Sequence, residues 1–388
     1  HLRLPDVREV ADGTQDCLVV RLHTDAGFTG LGEVVSCSHV GRAVIEAPRS
    51  APFRHGLAAV VEGMDAGDIE AVEAAMERST AWYGPGGVVR HAMSGIDIAL
   101  WDVHAKAAGL PLHKLLDANA VDAVPCYASV LWPDQPEKVG EAARRFVEQG
   151  YRAVKFGWGP MGRGSLDDDV ALVQAARDGL GRNAKLMVDA GVIWGVDVDA
   201  AYSRAEKFAE LGAVWLEEPL RTEEVGAYRA LSDRVRANGI DIGIAGGEGA
   251  DFYRSADDMM TNAGLDFVQI DVGRIGGITE AKRVADRARE LGIQYVNHTF
   301  KSHLSVAASI HVFAGFEEFD LIEYPAGNSP LVLGLTEPTG VFRDSEGYVK
   351  ASSTPGLGVE ANLSAISKYQ RHIKIEIDGE VLFESREP

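Results

Sequence analysis

Apolar and polar positions change period along the first ~115 residues. Residues 17 to 35, CLVVRLHTDAGFTGLGEVV, hold two β-prone runs around a turn at Asp25, Ala26 and Gly27, which predicts a hairpin. Met64 to Thr80 reads as a helix. So does HAMSGIDIALWDVHAKAAG, where Met93, Ile96, Ile98, Ala99 and Val103 make one apolar face. A hairpin followed by helices is an α+β unit.

From about Val124 short apolar runs alternate with amphipathic helices. The runs are VPCYAS, AVKFG, LMVDAG, VWLEEP, IGIAGGE, FVQIDVG, QYVNHTF and DLIEYP. Segments such as DDDVALVQAARDGL and TEAKRVADRARELG separate them, the latter closing on Gly292 as a C-cap. Eight such units predict an α/β fold, a (β/α)8 barrel of TIM type. A doubly wound sheet explains eight similar units less well. After about Pro325 the chain turns Gly- and Pro-rich and ends in the strand-like KIEIDGEVLF, a tail expected to pack on the N-terminal unit.

Composition narrows the function classes. The 388 residues carry a formal charge of -20, which argues against nucleic acid or an anionic membrane as partner. No apolar run of about 18 residues predicts a transmembrane helix, and the start HLRLPDVREV lacks a signal-peptide pattern. The three cysteines, Cys17, Cys37 and Cys126, fit neither a disulfide framework nor a zinc cluster. A cytoplasmic protein with reduced thiols is the expectation.

The chemistry lies where the apolar runs end, because active sites of this fold sit at the C-terminal ends of its strands. The second run carries Lys155, the third Asp189, the fourth Glu217 and Glu218. Then come Glu248, Asp271, His298 and Glu323. Successive positions lie 23 to 34 residues apart, one βα unit each, so these side chains point at one end of one barrel. Any single strand-end acid can be a helix cap or loop residue. Three on consecutive strands, Asp189, Glu217 and Glu248, would repel strongly unless a hard divalent cation such as Mg2+ joined them. An Asp beside a His fixes its tautomer and raises its basicity, so Asp271 and His298 suit acid/base work. A protonated Glu323 suits hydrogen bonding to a developing oxyanion. Lys155 suits a substrate carboxylate or a base role. His303 and His311 read as packing or surface residues.

These motifs resemble the enolase superfamily, in its mandelate racemase-like (mandelate racemase/muconate lactonizing enzyme) branch. DAGFTGLGEV and SGIDIALWD are similar to its N-terminal capping domain. VDAG, WLEEP, GGE, IDVGRIGG and VNHTF are similar to its metal and dyad strands, and PGLGVE is also typical. The resemblance implies a modified TIM (β/α)8-type barrel with an α+β N-terminal capping domain. The capping domain spans 1–120 and the barrel 121–330, and the tail 331–388 returns to the cap. It also implies one Mg2+ on Asp189, Glu217 and Glu248, with Glu217 preferred to Glu218 as the first acid of the EEP motif. Further, it implies a dyad of Asp271 and His298, a strand-eight acid at Glu323, and Lys155 as the first lysine of K-x-K.

One departure matters. The second lysine of K-x-K falls on Gly157. In racemases of this branch that lysine is the second base. Its loss favours one-base β-elimination, hence dehydration of an acid sugar to a 2-keto-3-deoxy acid. A racemase or epimerase with another second base, and a cycloisomerase acting on a lactone or anhydro acid, are the alternatives. A non-enzymatic, metal-stabilised barrel would need every polar strand end to be structural. Trp158 and Lys301 are candidate substrate contacts. So are His39 in the loop VVSCSHV and Tyr83, next to Trp82, in TAWYGPGG, although aromatics there also suit packing. Arg90 suits a distal carboxylate or a surface acid. The expected partner is a small-molecule carboxylate, and the expected assembly a homo-oligomer.

Overall fold

In the computed structural model of the chain, residues 1–7, 12–49, 51, 54–327, 329–336, 340–372 and 374–384 are described. The N-terminal unit is a three-stranded antiparallel sheet of β1 (Leu2–Arg3), β2 (Asp16–His23) and β3 (Thr29–Val34). Helices α1 (Ser38–Glu46), α2 (Leu57–Val61), α3 (Ile69–Thr80) and α4 (Val88–Ala108) follow. α3 starts five residues later than the sequence suggests. Asp65 accepts the Gly67 N–H and holds a turn, and Asp68 then caps the helix by accepting from Ala71 N–H at 3.0 Å. A small apolar core, including Val72, Met76, Met93, Ile96 and Leu100, joins α3 to α4.

The eight apolar runs form eight parallel strands. They are β4 (Ala123–Leu131), β5 (Ala153–Gly157), β6 (Lys185–Asp189), β7 (Ala213–Glu217), β8 (Gly243–Gly246), β9 (Phe267–Asp271), β10 (Gln294–His298) and β11 (Ile322–Pro325). Hydrogen-bonded neighbours run β10-β9-β8-β7-β6-β5-β4-β11, a nearly closed barrel with helices outside. Its seam lies between β10 and β11. There the Asn297 side chain acts as a substitute ladder: Oδ1 accepts the Glu323 N–H at 2.7 Å, and Nδ2 donates to the Glu323 carbonyl at 3.3 Å.

Strand period 2 sorts the interior into layers. Tyr127, Ala153, Met187, Trp215, Ala245 and Val296 fill the apolar floor. Two residues further along several of these strands stand Lys155, Asp189, Glu217 and His298. The polar mouth thus follows from the same alternation that fills the floor.

The tail divides. Leu331, Val332, Leu335, Ile366 and Tyr369 pack with Leu2 and Cys17 of the N-terminal sheet. β12 (Tyr348–Lys350) instead pairs antiparallel with barrel strand β4. β13 (Lys374–Ile377) and β14 (Glu380–Glu384), the strand-like end, pair with each other. Among the described residues no helix is long and apolar enough to cross a membrane.

Candidate active site

Strand register brings the strand-end residues together. Gly157 pairs with Asp189, Asp189 with Glu217, and Asp271 with His298. Glu248 lies two residues beyond β8. Gly247, at φ +118°, turns the chain there, and a side chain on it would stand 3.2 Å from the Gln269 carbonyl. Glu218 braces this turn. Its carboxylate accepts the N–H groups of Gly247 (2.7 Å) and Glu248 (3.2 Å) and the Tyr228 hydroxyl (2.7 Å). Burial and the neighbouring Glu248 raise Glu218 to about 7. Of the two acids in EEP, Glu217 therefore faces the barrel axis and Glu218 supports the next loop.

Lys155 is the hub of the mouth. Its ammonium bonds the Glu217 carboxylate and lies 2.8 Å from Glu323. Burial alone would lower Lys155, but Glu217 and Glu323 hold it well above its ordinary value. Glu323 also accepts the Thr299 N–H. Both contacts use Glu323 oxygens as acceptors. The second Glu217 oxygen accepts from Trp215 Nε1 at 2.9 Å and Gln269 Nε2 at 2.6 Å. Gln269 and Asn297 escape motif reading. The signal for Gln269 is a polar residue two positions before Asp271 on an otherwise apolar strand.

The His298 Nδ1 lies 2.7 Å from Asp271 and its Nε2 3.0 Å from Glu248. Burial opposes the charged ring, yet Glu248 and Asp271 raise His298 well above its ordinary value. Glu248 is itself held well below the usual range: burial would raise it, and His298 and Arg274 prevail. Arg274 donates to the Glu248 carbonyl at 3.2 Å and lies 3.5 Å from its carboxylate and 3.8 Å from Asp271. Sequence alone does not single it out either, although it lies in IDVGRIGG.

Asp189 accepts the Gly191 N–H at 2.9 Å. Burial, then the charges of Glu217 and Glu248, push it well above the ordinary value. Among the described residues no three His, Cys, Asp or Glu side chains converge on a common metal point. The three carboxylates are neighbours that turn to different partners, Glu217 to Lys155 and Glu248 to His298. They still fit a hard divalent cation in kind: all donors are oxygen, and Asp189 carries repulsion from the other two that Lys155 only partly offsets.

The candidate substrate contacts lie apart. Trp158 is 40% exposed at the mouth, its ring lying over Gly191 beside Asp189. Lys301 is buried, its ammonium 3.0 Å from the Asp16 carbonyl and 3.3 Å from the Asp16 carboxylate. His39 sits in α1 against His1, with ring centroids 4.0 Å apart. The Tyr83 hydroxyl donates to the His55 carbonyl at 2.7 Å. Arg90 pairs with Glu77 at 2.7 Å and Glu73 at 3.4 Å on α3, so the acids it meets belong to its own domain. His303 and His311 are buried in packing, with His311 bonded to the Leu357 carbonyl at 3.0 Å.

A buried acid/base site at the C-terminal mouth of a (β/α)8 barrel, beside an α+β cap, defines a class of barrel enzymes. Comparison with known proteins gives the family. Residues 138–365 match the family model Enolase C-terminal domain-like. Residues 8–117 match the Mandelate racemase / muconate lactonizing enzyme, N-terminal domain. The chain belongs to the enolase superfamily, in its mandelate racemase/muconate lactonizing enzyme branch.

It is 30% identical to a 3,6-anhydro-alpha-L-galactonate cycloisomerase from Streptomyces coelicolor, over 94% of this chain and 96% of that protein. It is 30% identical to an L-talarate/galactarate dehydratase from Salmonella typhimurium, over 81% of this chain and 76% of that protein. A crystal structure described as a predicted mandelate racemase from Rhodobacter sphaeroides superposes with a TM-score of 0.90 at 38% identity, covering 99% and 97% of the two chains. A racemase from Streptomyces coelicolor with bound magnesium superposes with a TM-score of 0.75 at 27% identity, covering 90% and 94%.

Proposed function

We propose that this enzyme eliminates the C3 oxygen of a sugar acid after removing its C2 proton, as an acid-sugar dehydratase. One observation carries the reading. The Asp271–His298 pair, at 2.7 Å, is a base on one side of the mouth, while the opposite strand offers Gly157 where a second base would stand. A Cβ at 157 would lie 2.4 Å from Asp189 Oδ2, so the Asp189 carboxylate occupies the space that any side chain there would enter. Proton removal and return at a single face suit elimination better than inversion.

Glu248 and Asp271 favour a charged His298 ring, so the form that acts as base is the one that has released its proton. Its Nε2 takes the C2 proton, and Asp271 stabilises the imidazolium through Nδ1. Negative charge then develops on the substrate carboxylate. The buried Lys155 ammonium is oriented by Glu217 and Glu323 and faces that charge in a site screened from water. Asp189, Glu217 and Glu248 would hold Mg2+, which supplies charge neutralisation of the enediolate when bound. The C3–O bond breaks as His298 returns its proton to the leaving oxygen. Water departs, and the resulting enol tautomerises to a 2-keto-3-deoxy acid.

Cycloisomerisation is the second reading, favoured by the similarity to the cycloisomerase over 94% of the chain. Its chemistry shares the first half. Where the C3 oxygen belongs to an internal ether, its expulsion opens the ring and no water leaves.

The test is a panel of mono- and diacid sugars, anhydro acids and lactones with Mg2+ in deuterated water, read by 2-keto acid formation and C2 deuterium. A 2-keto acid from an open-chain acid supports dehydration, and from an anhydro acid the second reading. Deuterium at C2 with inversion and no keto acid would replace both with racemase chemistry.

A further inference from the structure

We propose that helix α4 of the N-terminal unit is a strut that fixes the Glu248 loop relative to the Asp271 loop, with Asp251, Ser94 and Asp97 as positioning residues. The inference rests on the site assignment above and adds residues lying outside the mouth.

α4 meets two barrel loops at two points along its length. At its N-terminus the Asp251 carboxylate, three residues past Glu248, accepts the N–H of Gly87, the residue before the first turn. Two and three turns on, the contacts go to the other loop. The Ser94 hydroxyl accepts the Gly276 N–H at 2.9 Å. Asp97 accepts both the N–H (3.2 Å) and the hydroxyl (2.5 Å) of Thr279. Trp101 Nε1 donates to the same hydroxyl at 2.9 Å. Thr279 is the second residue of the barrel helix Ile278–Leu291, whose N-cap, Gly277, has no side chain to offer. Asp97 therefore caps that helix from another domain. In return Asp251 bonds the N-terminus of α4.

These contacts bear on the chemistry through short chain segments. Residues 271 to 279 run directly from the dyad aspartate to Thr279. The Gly273 carbonyl in that segment also accepts the Val35 N–H, at 3.2 Å. Arg274 bridges the two loops on the site side, touching Glu248 and Asp271. Across the outside, α4 holds their other ends about 15 Å apart, ten residues at about 1.5 Å each from Gly87 to Asp97. A helix resists stretching, and Ser94 and Asp97 are fully buried. A metal-ligand candidate and the dyad acid are thus referenced to one rigid element, which a barrel with independent loops would lack.

The experiment uses the full chain and the variants Asp251→Ala, Asp97→Ala, Asp97→Asn and Ser94→Ala. Four quantities are read: Mg2+ affinity by calorimetry with the metal alone, amide exchange of 247–251 and 271–279, turnover with KM, and Tm. Removing groups that orient first ligands typically costs 10–100-fold. Asp251→Ala is expected to weaken Mg2+ binding about 10-fold and to speed amide exchange in 247–251. Asp97→Ala is expected to lower kcat about 10-fold at unchanged KM and Mg2+ affinity, and to speed exchange in 271–279. Asp97→Asn keeps an acceptor oxygen for the Thr279 amide and should restore kcat.

Variants that lose Tm yet keep Mg2+ affinity, kcat and loop exchange within twofold of the parent would reduce these acids to domain staples and overturn the proposal. If Asp97→Ala does not fold, Ser94→Ala decides by the same measures on 271–279. If the parent protein turns over no sugar acid, the function reading fails, while metal affinity and amide exchange still decide the strut.

Discussion

Gly157 offers the sharpest test of how the site is built. A methyl group at this position would stand 2.4 Å from Asp189 Oδ2, 2.9 Å from Cγ and 3.1 Å from Cβ. Ordinary contact is about 3.5 Å, so the Asp189 side chain must move by roughly 1 Å. It has little freedom to do so, because it is buried and its other oxygen holds the Gly191 N–H at 2.9 Å. Overpacking of this size costs about 1–3 kcal/mol. If Asp189 is a ligand, the cost falls on the metal-loaded arrangement, and Mg2+ affinity drops about 5- to 150-fold. Calorimetric titration of Gly157→Ala with Mg2+, beside a denaturant melt, separates lost affinity from lost fold. Affinity within twofold of the parent would refute the assignment of Asp189. The same geometry predicts that Gly157→Lys, although it rebuilds the K-x-K pattern, gives no racemase. It displaces the acid that it would need.

Three further outcomes test the site and the helix behind it. His298→Asn should reduce C2 deuterium exchange by about 10²–10⁴ while Mg2+ still binds, and exchange at the parental rate would remove the dyad from the mechanism. Lys155→Met leaves Glu217 and Glu323 buried without their cation and should cost about 3–5 kcal/mol in a metal-free melt. Added Mg2+ should recover more stability in this variant than in the parent, and equal gains would count against a shared metal and Lys155 pocket. Asp97 is raised by burial from 3.8 to about 7. The folded chain therefore keeps a proton that the unfolded chain has released. Stability from this group is present below about pH 4 and is lost as pH rises to about 7, some 4 kcal/mol in all. Denaturant melts at pH 5 and pH 8 should show Asp97→Asn gaining on the parent as pH rises, and a constant difference would contradict this.

Much of the architecture was legible because period and position coincide in a barrel. An apolar run that stops at a charged residue marks both the strand and its catalytic end, which is why VKFG, LMVD and VWLE could be aligned without coordinates. The less legible parts depend on contacts distant in sequence. Asn297 is an ordinary polar residue in VNHTF until β11 is placed beside it across the seam. Lys301 looks available from sequence, yet Asp16, 285 positions earlier, holds it. The sequence places the start of α3 too early because apolar Met64 extends the helical pattern, whereas capping by Asp68 decides where the backbone turns.

The buried charges of the mouth also explain why its polar residues have structural supporters. Asp189, Glu217, Glu218, Glu248, Asp271 and Glu323 meet Lys155, Arg274 and His298, so acids outnumber bases even with every base protonated. In such surroundings each carboxylate needs a donor or a cation. Glu217 has Lys155, Trp215 and Gln269, Glu218 has two backbone N–H groups and Tyr228, and Glu323 has Lys155 and Thr299. Asp189 has the Gly191 N–H and the more distant charge of Lys155 in compensation, and it is still driven well above the usual range. Positive charge is therefore short at the strand end next to Gly157, where the K-x-K pattern carries its second lysine. In this chain that lysine is not simply missing. The space beside the Gly157 Cα is taken by an acid whose charge a divalent cation would balance, and this links the loss of the second base to the metal chemistry.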